Sequence, residues 1–94
     1  SSALVIDVRS LPEFSEGHID GAHHFPIEGL PDSISHISKT VRIVTVCNNG
    51  GGRSEKAAET LRNSGWKNAV WLEGGYFSWR DLDLPRIEIG EGSS

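Results

Sequence analysis

The residue types able to do covalent chemistry converge on one short stretch, Cys47-Asn48-Asn49-Gly50-Gly51-Gly52-Arg53-Ser54. Cys47 is the only cysteine among 94 residues, and Arg53 follows it at Cys-x5-Arg spacing. Upstream lies the β-branched run Arg42-Ile43-Val44-Thr45-Val46, as expected of a buried strand. Downstream, Ser54-Glu55-Lys56-Ala57-Ala58-Glu59-Thr60-Leu61-Arg62-Asn63-Ser64 is built of helix formers, with Ala57, Ala58 and Leu61 on one stripe. A loop entering a helix points backbone N–H groups and the positive end of the helix dipole into its bowl. A thiol in such a bowl ionises more readily, and the thiolate is the nucleophile. Arg53 is expected to supply a positive neighbour. Gly50, Gly51 and Gly52 can take positive φ and turn successive amides inward, as an anion-cradling nest requires. Cys47 and Arg53 are therefore the candidate catalytic residues. Asn48, Asn49, Gly50, Gly51, Gly52, Arg53 and Ser54 are the candidate substrate-binding loop. The plainer alternative is a small buried hydrophobe followed by a flexible connection. A position at a strand end, with five residues between it and an arginine and a helix following at once, favours the chemistry.

Other chemistries find less support. The histidines of Gly17-His18-Ile19-Asp20-Gly21-Ala22-His23-His24-Phe25-Pro26 lie in a glycine- and proline-punctuated turn, without a carboxylate or cysteine at ligand spacing, so no metal site is expected. A dinucleotide fingerprint would need glycine or alanine at Glu55, and a phosphate-binding P-loop would need lysine at Arg53. One cysteine excludes an internal disulfide and any multi-cysteine metal site. Nine basic against thirteen acidic residues give a net charge of −4, which offers no general attraction to nucleic acid or anionic membrane. No apolar run approaches the length of a transmembrane helix. One free thiol does not fix the compartment; a cytoplasmic setting is favoured, and a periplasmic one would follow removal of a signal peptide.

The elements that must position this loop can be read in chain order. Ala3-Leu4-Val5-Ile6-Asp7-Val8 reads as a strand buried on both faces, with Asp7 near its carboxyl end. Arg9 and Glu13 flank Pro12 and are expected to pair, pinning the loop after the strand; Asp7, Arg9 and Glu13 are thus structural candidates. A short strand is expected around Ala22 to His24. Ile27, Leu30, Ile34 and Ile37 recur at helical spacing, with Pro31 at a first position and His36 facing water. The central strand follows, then the helix to a glycine cap at Gly65, the strand Ala69-Val70-Trp71-Leu72 and the turn Glu73-Gly74-Gly75. Tyr76-Phe77-Ser78-Trp79-Arg80 opens a last helix in which Phe77 or Trp79 should pack on the sheet, ending at Leu82-Asp83-Leu84-Pro85. Arg86-Ile87-Glu88-Ile89 could form an edge strand. The alternation predicts one α/β domain over 1–94, with a small parallel sheet flanked by helices, a core within 3–85, and flexible termini at 1–2 and 90–94. In that topology Asp7, His24, Cys47 and Glu73 approach one crevice.

Three segments of the sequence carry a family resemblance. They are Ile6-Asp7-Val8-Arg9 with Glu13-Phe14, Gly17-His18-Ile19-Asp20-Gly21-Ala22 and Pro26; Val46-Cys47 through Arg53-Ser54; and Glu73-Gly74-Gly75 with Trp79. Together they resemble the rhodanese domain, the sulfurtransferase fold, over nearly the whole chain. The resemblance implies that Cys47 accepts a sulfane sulfur as a persulfide. It makes residues 48–53 the backbone cradle and Arg9 with Glu13 a structural pair. It further implies transfer from thiosulfate or a persulfide donor to a thiol or protein acceptor, without metal or organic cofactor. Members commonly begin with a further strand and helix, so an edge of the sheet is expected to be missing or replaced by the C-terminal segment. Sulfurtransferases of the family typically have a loop one residue shorter. The Cys-x5-Arg spacing is that of the related Cdc25-type phosphatases and arsenate reductases, which stand as a rival reading. A non-catalytic module binding an anion or a protein is a second rival, disfavoured because a cradle of amides needs no cysteine.

Overall fold

The computed structural model describes residues 3–82. Four strands, β1 (Leu4–Asp7), β2 (His23–His24), β3 (Ile43–Val46) and β4 (Val70–Trp71), form one parallel sheet in the order β2-β1-β3-β4. Three helices, α1 (Leu11–Glu16), α2 (Gly52–Asn63) and α3 (Gly75–Leu82), complete the α/β architecture. The register pairs Asp7 with both His24 and Val46, so the strands end along one rim.

β3 is central, and all four of its residues are buried. The two-residue period of a strand sends alternate side chains to opposite faces. On one face Leu4, Ile6, Val8, Ile43 and Cys47 pack with Ala57 and Leu61 of α2. On the other, Val5, Val44, Val46, Val70 and Leu72 pack with Tyr76 and Trp79 of α3. The expected aromatic packing on the sheet is thus made by Trp79, joined by Tyr76. β1 leads outward to β2 and β3 leads outward to β4, so the chain reverses its winding between β1 and β3. Such a switch point opens a crevice at the carboxyl ends of the strands.

α1 begins with a capping box: Ser10 Oγ accepts the Glu13 N–H, and the Glu13 carboxylate accepts the Ser10 N–H. α2 presents Ser54, Ala57, Ala58 and Leu61 to the core and ends at Ser64, after which Gly65 takes φ 112°. The helix expected through Ile27 and Ile37 is instead two 3₁₀ turns, Ile27–Gly29 and Asp32–Ile34. Pro31 offers no N–H and holds Leu30 extended at φ −84°, ψ 147°, which interrupts any helix between them. The apolar positions still serve the core: Ile34 is fully buried, with Ile27, Leu30 and Ile37 against it. The suggested strand at 86–89, the core limit at 85 and both termini lie outside the described residues.

Candidate active site

Cys47 follows β3 directly and is 4% exposed. Its Sγ lies 3.2 Å from the Gly51 carbonyl oxygen and 3.2 Å from Ser54 Oγ. Ser54 is fully buried in the first turn of α2, and its Oγ is 3.0 Å from the same Gly51 oxygen. Thr45 fixes this turn from below by donating its hydroxyl to Ser54 O at 2.7 Å. Gly51 O already accepts the N–H groups of Ser54 (3.1 Å) and Glu55 (3.4 Å). The Ser54 hydroxyl therefore has one proton and two acceptors. Beside a thiol it can donate to Gly51 O. Beside a thiolate it can turn to the sulfur, because Gly51 O keeps its backbone donors.

The glycines of the loop are not equivalent. Gly50, Gly51 and Gly52 take φ of 77°, 68° and 49°. Gly51 caps α2, and Gly52, Arg53 and Ser54 already belong to that helix, so the loop proper is shorter than the sequence suggests. Gly50 lies against the turn after β4: a Cβ there would meet Gly74 N at 2.6 Å and Leu72 O at 2.9 Å. The first amides of α3 hold the chain on the other side. Tyr76 N–H donates to Cys47 O (2.8 Å) and Phe77 N–H to Asn48 O (2.9 Å), so two otherwise unpaired helix-start donors fix the strand end.

Two ion pairs brace the loop, and they differ from the expected pairing. Arg9 pairs with Asp7, not with Glu13: Nε donates to Asp7 Oδ1 at 2.9 Å and Nη2 to Oδ2 at 2.8 Å, with both side chains almost fully buried. Glu13 pairs with Arg53 through Nη1–Oε1 at 2.9 Å and Nη2–Oε2 at 3.2 Å. Ser10 is the N-cap of α1, so Arg9 stands outside the helix and the four-residue spacing from Arg9 to Glu13 has no helical meaning. Asn48 links the pairs, accepting from Arg9 Nη1 (3.0 Å) and donating to Glu13 Oε2 (2.9 Å). A single carboxylate thus holds both ends of the loop. The Arg53 hydrogen bonds, more than any other cause, keep the Glu13 carboxyl well below the usual carboxylate range, with the Ser10 amide assisting and burial opposing. Glu13 in turn is the main cause raising Arg53 above its ordinary value, burial opposes it, and the nearby Cys47 contributes a smaller charge effect.

The remaining sequence candidates fall in distinct places. Asn48 directs its side chain into the brace, and Asn49 is exposed. His24 caps the rim by placing Nε2 2.7 Å from Arg9 O, and Phe14 stacks between His24 and His18. Glu73 is exposed. Among the described residues, no three His, Cys, Asp or Glu side chains are placed to hold a metal. Two contributors escaped the sequence reading. Tyr76 lies under the Arg9 guanidinium, 4.5 Å from ring centroid to Cζ, a contact without local signal. The capping role of Glu13 was visible in Ser10-x-x-Glu13.

Residues 1–82 match the rhodanese-like domain family. The chain belongs to that family. A thiosulfate sulfurtransferase GlpE of Stutzerimonas stutzeri (strain A1501) is 32% identical over 91 residues, covering 97% of this chain and 83% of the relative. Among solved structures, the Rhodanese_3 like domain of the Alr3790 protein from Anabaena sp. superposes with a TM-score of 0.81 at 30% identity, covering 89% of this chain and 97% of that one. The human single-domain sulfurtransferase TSTD1 gives a TM-score of 0.74 at 26% identity, with 84% and 81% covered. Proteins similar to this rhodanese-like domain thus carry sulfurtransferase names. Among its described residues, no helix is long and apolar enough to cross a membrane.

Proposed function

We propose that this rhodanese-like domain is a sulfurtransferase that carries a sulfane sulfur on Cys47. The observation that supports this most is the environment of Sγ: a single cysteine at the end of the central strand, 3.2 Å from a buried hydroxyl that can donate to it. In the first half-reaction the Cys47 thiolate attacks the outer sulfur of thiosulfate. A new S–S bond forms, the sulfur–sulfur bond of thiosulfate breaks, and sulfite leaves with the bonding pair. In the second, a thiophilic acceptor such as cyanide, a thiol or a protein thiolate takes the outer sulfur and restores the Cys47 thiolate. Neither half needs a metal, an organic cofactor or a general acid, because sulfite leaves as an anion.

The Cys-x5-Arg rivals ask more of Arg53. A phosphate or arsenate would engage the guanidinium fork, and that fork is occupied by Glu13 in a two-point contact. Phosphate-ester hydrolysis also benefits from an acid beside the leaving oxygen. A simple binding module would have no use for the Ser54–Cys47 contact.

Steady-state assay of thiocyanate formation from thiosulfate and cyanide tests the proposal. Parallel lines in double-reciprocal plots, abolished by Cys47→Ser in a folded protein, are the expected result. Turnover by the serine variant at the parent's rate, or hydrolysis of a phosphate ester faster than sulfur transfer, would overturn it.

A further inference from the structure

Arg53 stands beside the cradle, in the first turn of α2: the next residue, Ser54, touches Sγ at 3.2 Å, and the charge of Cys47 is felt at the guanidinium. Its terminal nitrogens nevertheless meet a carboxylate of the protein itself. Nη1 donates to Glu13 Oε1 at 2.9 Å and Nη2 to Oε2 at 3.2 Å, the two-point contact that a guanidinium makes with an anionic ligand. Glu13 is held by more than this pair. Oε1 also accepts the N–H and the hydroxyl of Ser10, each at 2.9 Å, and Oε2 accepts Asn48 Nδ2 at 2.9 Å. Five donors therefore converge on one carboxylate, which the capping box fixes to the start of α1. Arg53 keeps it ionised well below the usual carboxylate range, so it carries its charge throughout the neutral range. An anion arriving from solution must displace this tethered one, whose effective concentration is on the order of millimolar or above.

The cradle is equipped differently. The backbone N–H groups of residues 49–53 have no acceptor among the described residues, as expected of a loop that opens a helix. One extra sulfur atom on Cys47 can be met by such amides alone. A phosphate or arsenate drawn into the same bowl brings several charged oxygens, and with the guanidinium fork engaged elsewhere part of that charge goes unmatched.

We propose that Glu13 is a specificity-determining residue: by engaging Arg53 with its own carboxylate it closes the loop to phosphate and arsenate while leaving it open to a sulfane sulfur. This rests on the sulfurtransferase reading above for the identity of the admitted substrate. Glu13 touches no substrate and acts through Arg53, so it is a positioning residue whose effect lies in what it denies the competitor. It excludes in two ways, by filling the fork and by placing a negative charge beside it. The device sits on α1, 40 positions from Arg53, and so acts from outside the loop whose selectivity it sets.

The test is a chemical-shift titration with inorganic phosphate at constant ionic strength, read at the Gly50, Gly51 and Gly52 amides. Glu13→Gln should bind phosphate about tenfold more tightly than wild type, because a guanidinium fork is freed and a charge removed. Loss of a merely structural contact would loosen the loop and weaken binding, so a gain in affinity reads the selection itself. Glu13→Ala should repeat the gain, and the double variant Glu13→Gln/Arg53→Gln should lose it. Unchanged affinity in both single variants, or a gain that persists without Arg53, would overturn the proposal. Intact-mass measurement after thiosulfate exposure separates this from the underlying reading. If wild type takes up no sulfur while Glu13→Gln gains phosphate affinity through Arg53, the exclusion of phosphate stands and sulfur transfer falls. If wild type takes up sulfur and neither single variant gains phosphate affinity, the proposal falls and sulfur transfer stands.

Discussion

Ser54 has one hydroxyl proton, and whether it points to Gly51 O or to Sγ decides how well a buried sulfur can carry negative charge. Ser54→Ala removes that donor, and the rate of persulfide formation from thiosulfate should fall about tenfold, the scale of one charge-assisted hydrogen bond. Ser54→Thr should keep most of the rate. Quenched-flow mass measurement decides, and an unchanged rate in the alanine variant would remove Ser54 from the chemistry. The Asp7–Arg9 pair stands at the other extreme: it is buried, so removing one partner strands the other charge. Arg9→Ala should cost about 3–5 kcal/mol in urea unfolding, whereas a loss near 1 kcal/mol would mean that water already reaches the pair. At this scale the sequence singled out the candidate residues but not their partners. Cys47 stood out because its type, strand and helix agree. The true partner of Glu13 lies 40 positions away, beyond any local spacing rule.

For the loop and α2, hydrophobic periodicity was a sound guide, since Ala57, Ala58 and Leu61 are buried as their stripe requires. Backbone interruptions were harder to read. The 3₁₀ turns around Pro31 and the start of α2 at Gly52 depend on dihedral angles that apolar spacing does not encode. The Gly50-Gly51-Gly52 run shows the same limit, because its members look alike in sequence and do different work. A Cβ at Gly50 would strike the backbone of Gly74, whereas one at Gly52 meets nothing within 4 Å. Gly50→Ala should therefore displace the loop, lose about 1–3 kcal/mol and most sulfur transfer, with α2 intact by circular dichroism. Gly52→Ala should cost about 1 kcal/mol, for its positive φ, and retain activity. Comparable activity in the two variants would show that docking on the β4–α3 turn does not shape the site.

In the molecule as a whole, reversal of winding between β1 and β3 places Arg9 and Cys47 beside one crevice, and Glu13 ties α1 to α2 across it. That tie makes stability depend on acid. The folded Glu13 carboxyl is held below the usual range, chiefly by Arg53, while in the unfolded chain it takes up a proton near pH ~4.3. Between the two, the unfolded state binds more protons, so the contribution is present above the unfolded value and fades as pH falls toward the folded one. With Arg53 41% and Glu13 31% exposed, screening limits the pair to about 1 kcal/mol or less. Melting temperatures measured from about pH 5 to 3 should fall more steeply in wild type than in Glu13→Gln, and parallel slopes would contradict the tie.

The central claim is that Cys47 carries the sulfur, and intact-mass measurement after brief exposure to thiosulfate tests it most directly. The account predicts a gain of one sulfur atom on the wild-type chain, removed by cyanide or a thiol and absent from Cys47→Ser. An unchanged wild-type mass, or the same gain on the serine variant, would contradict it.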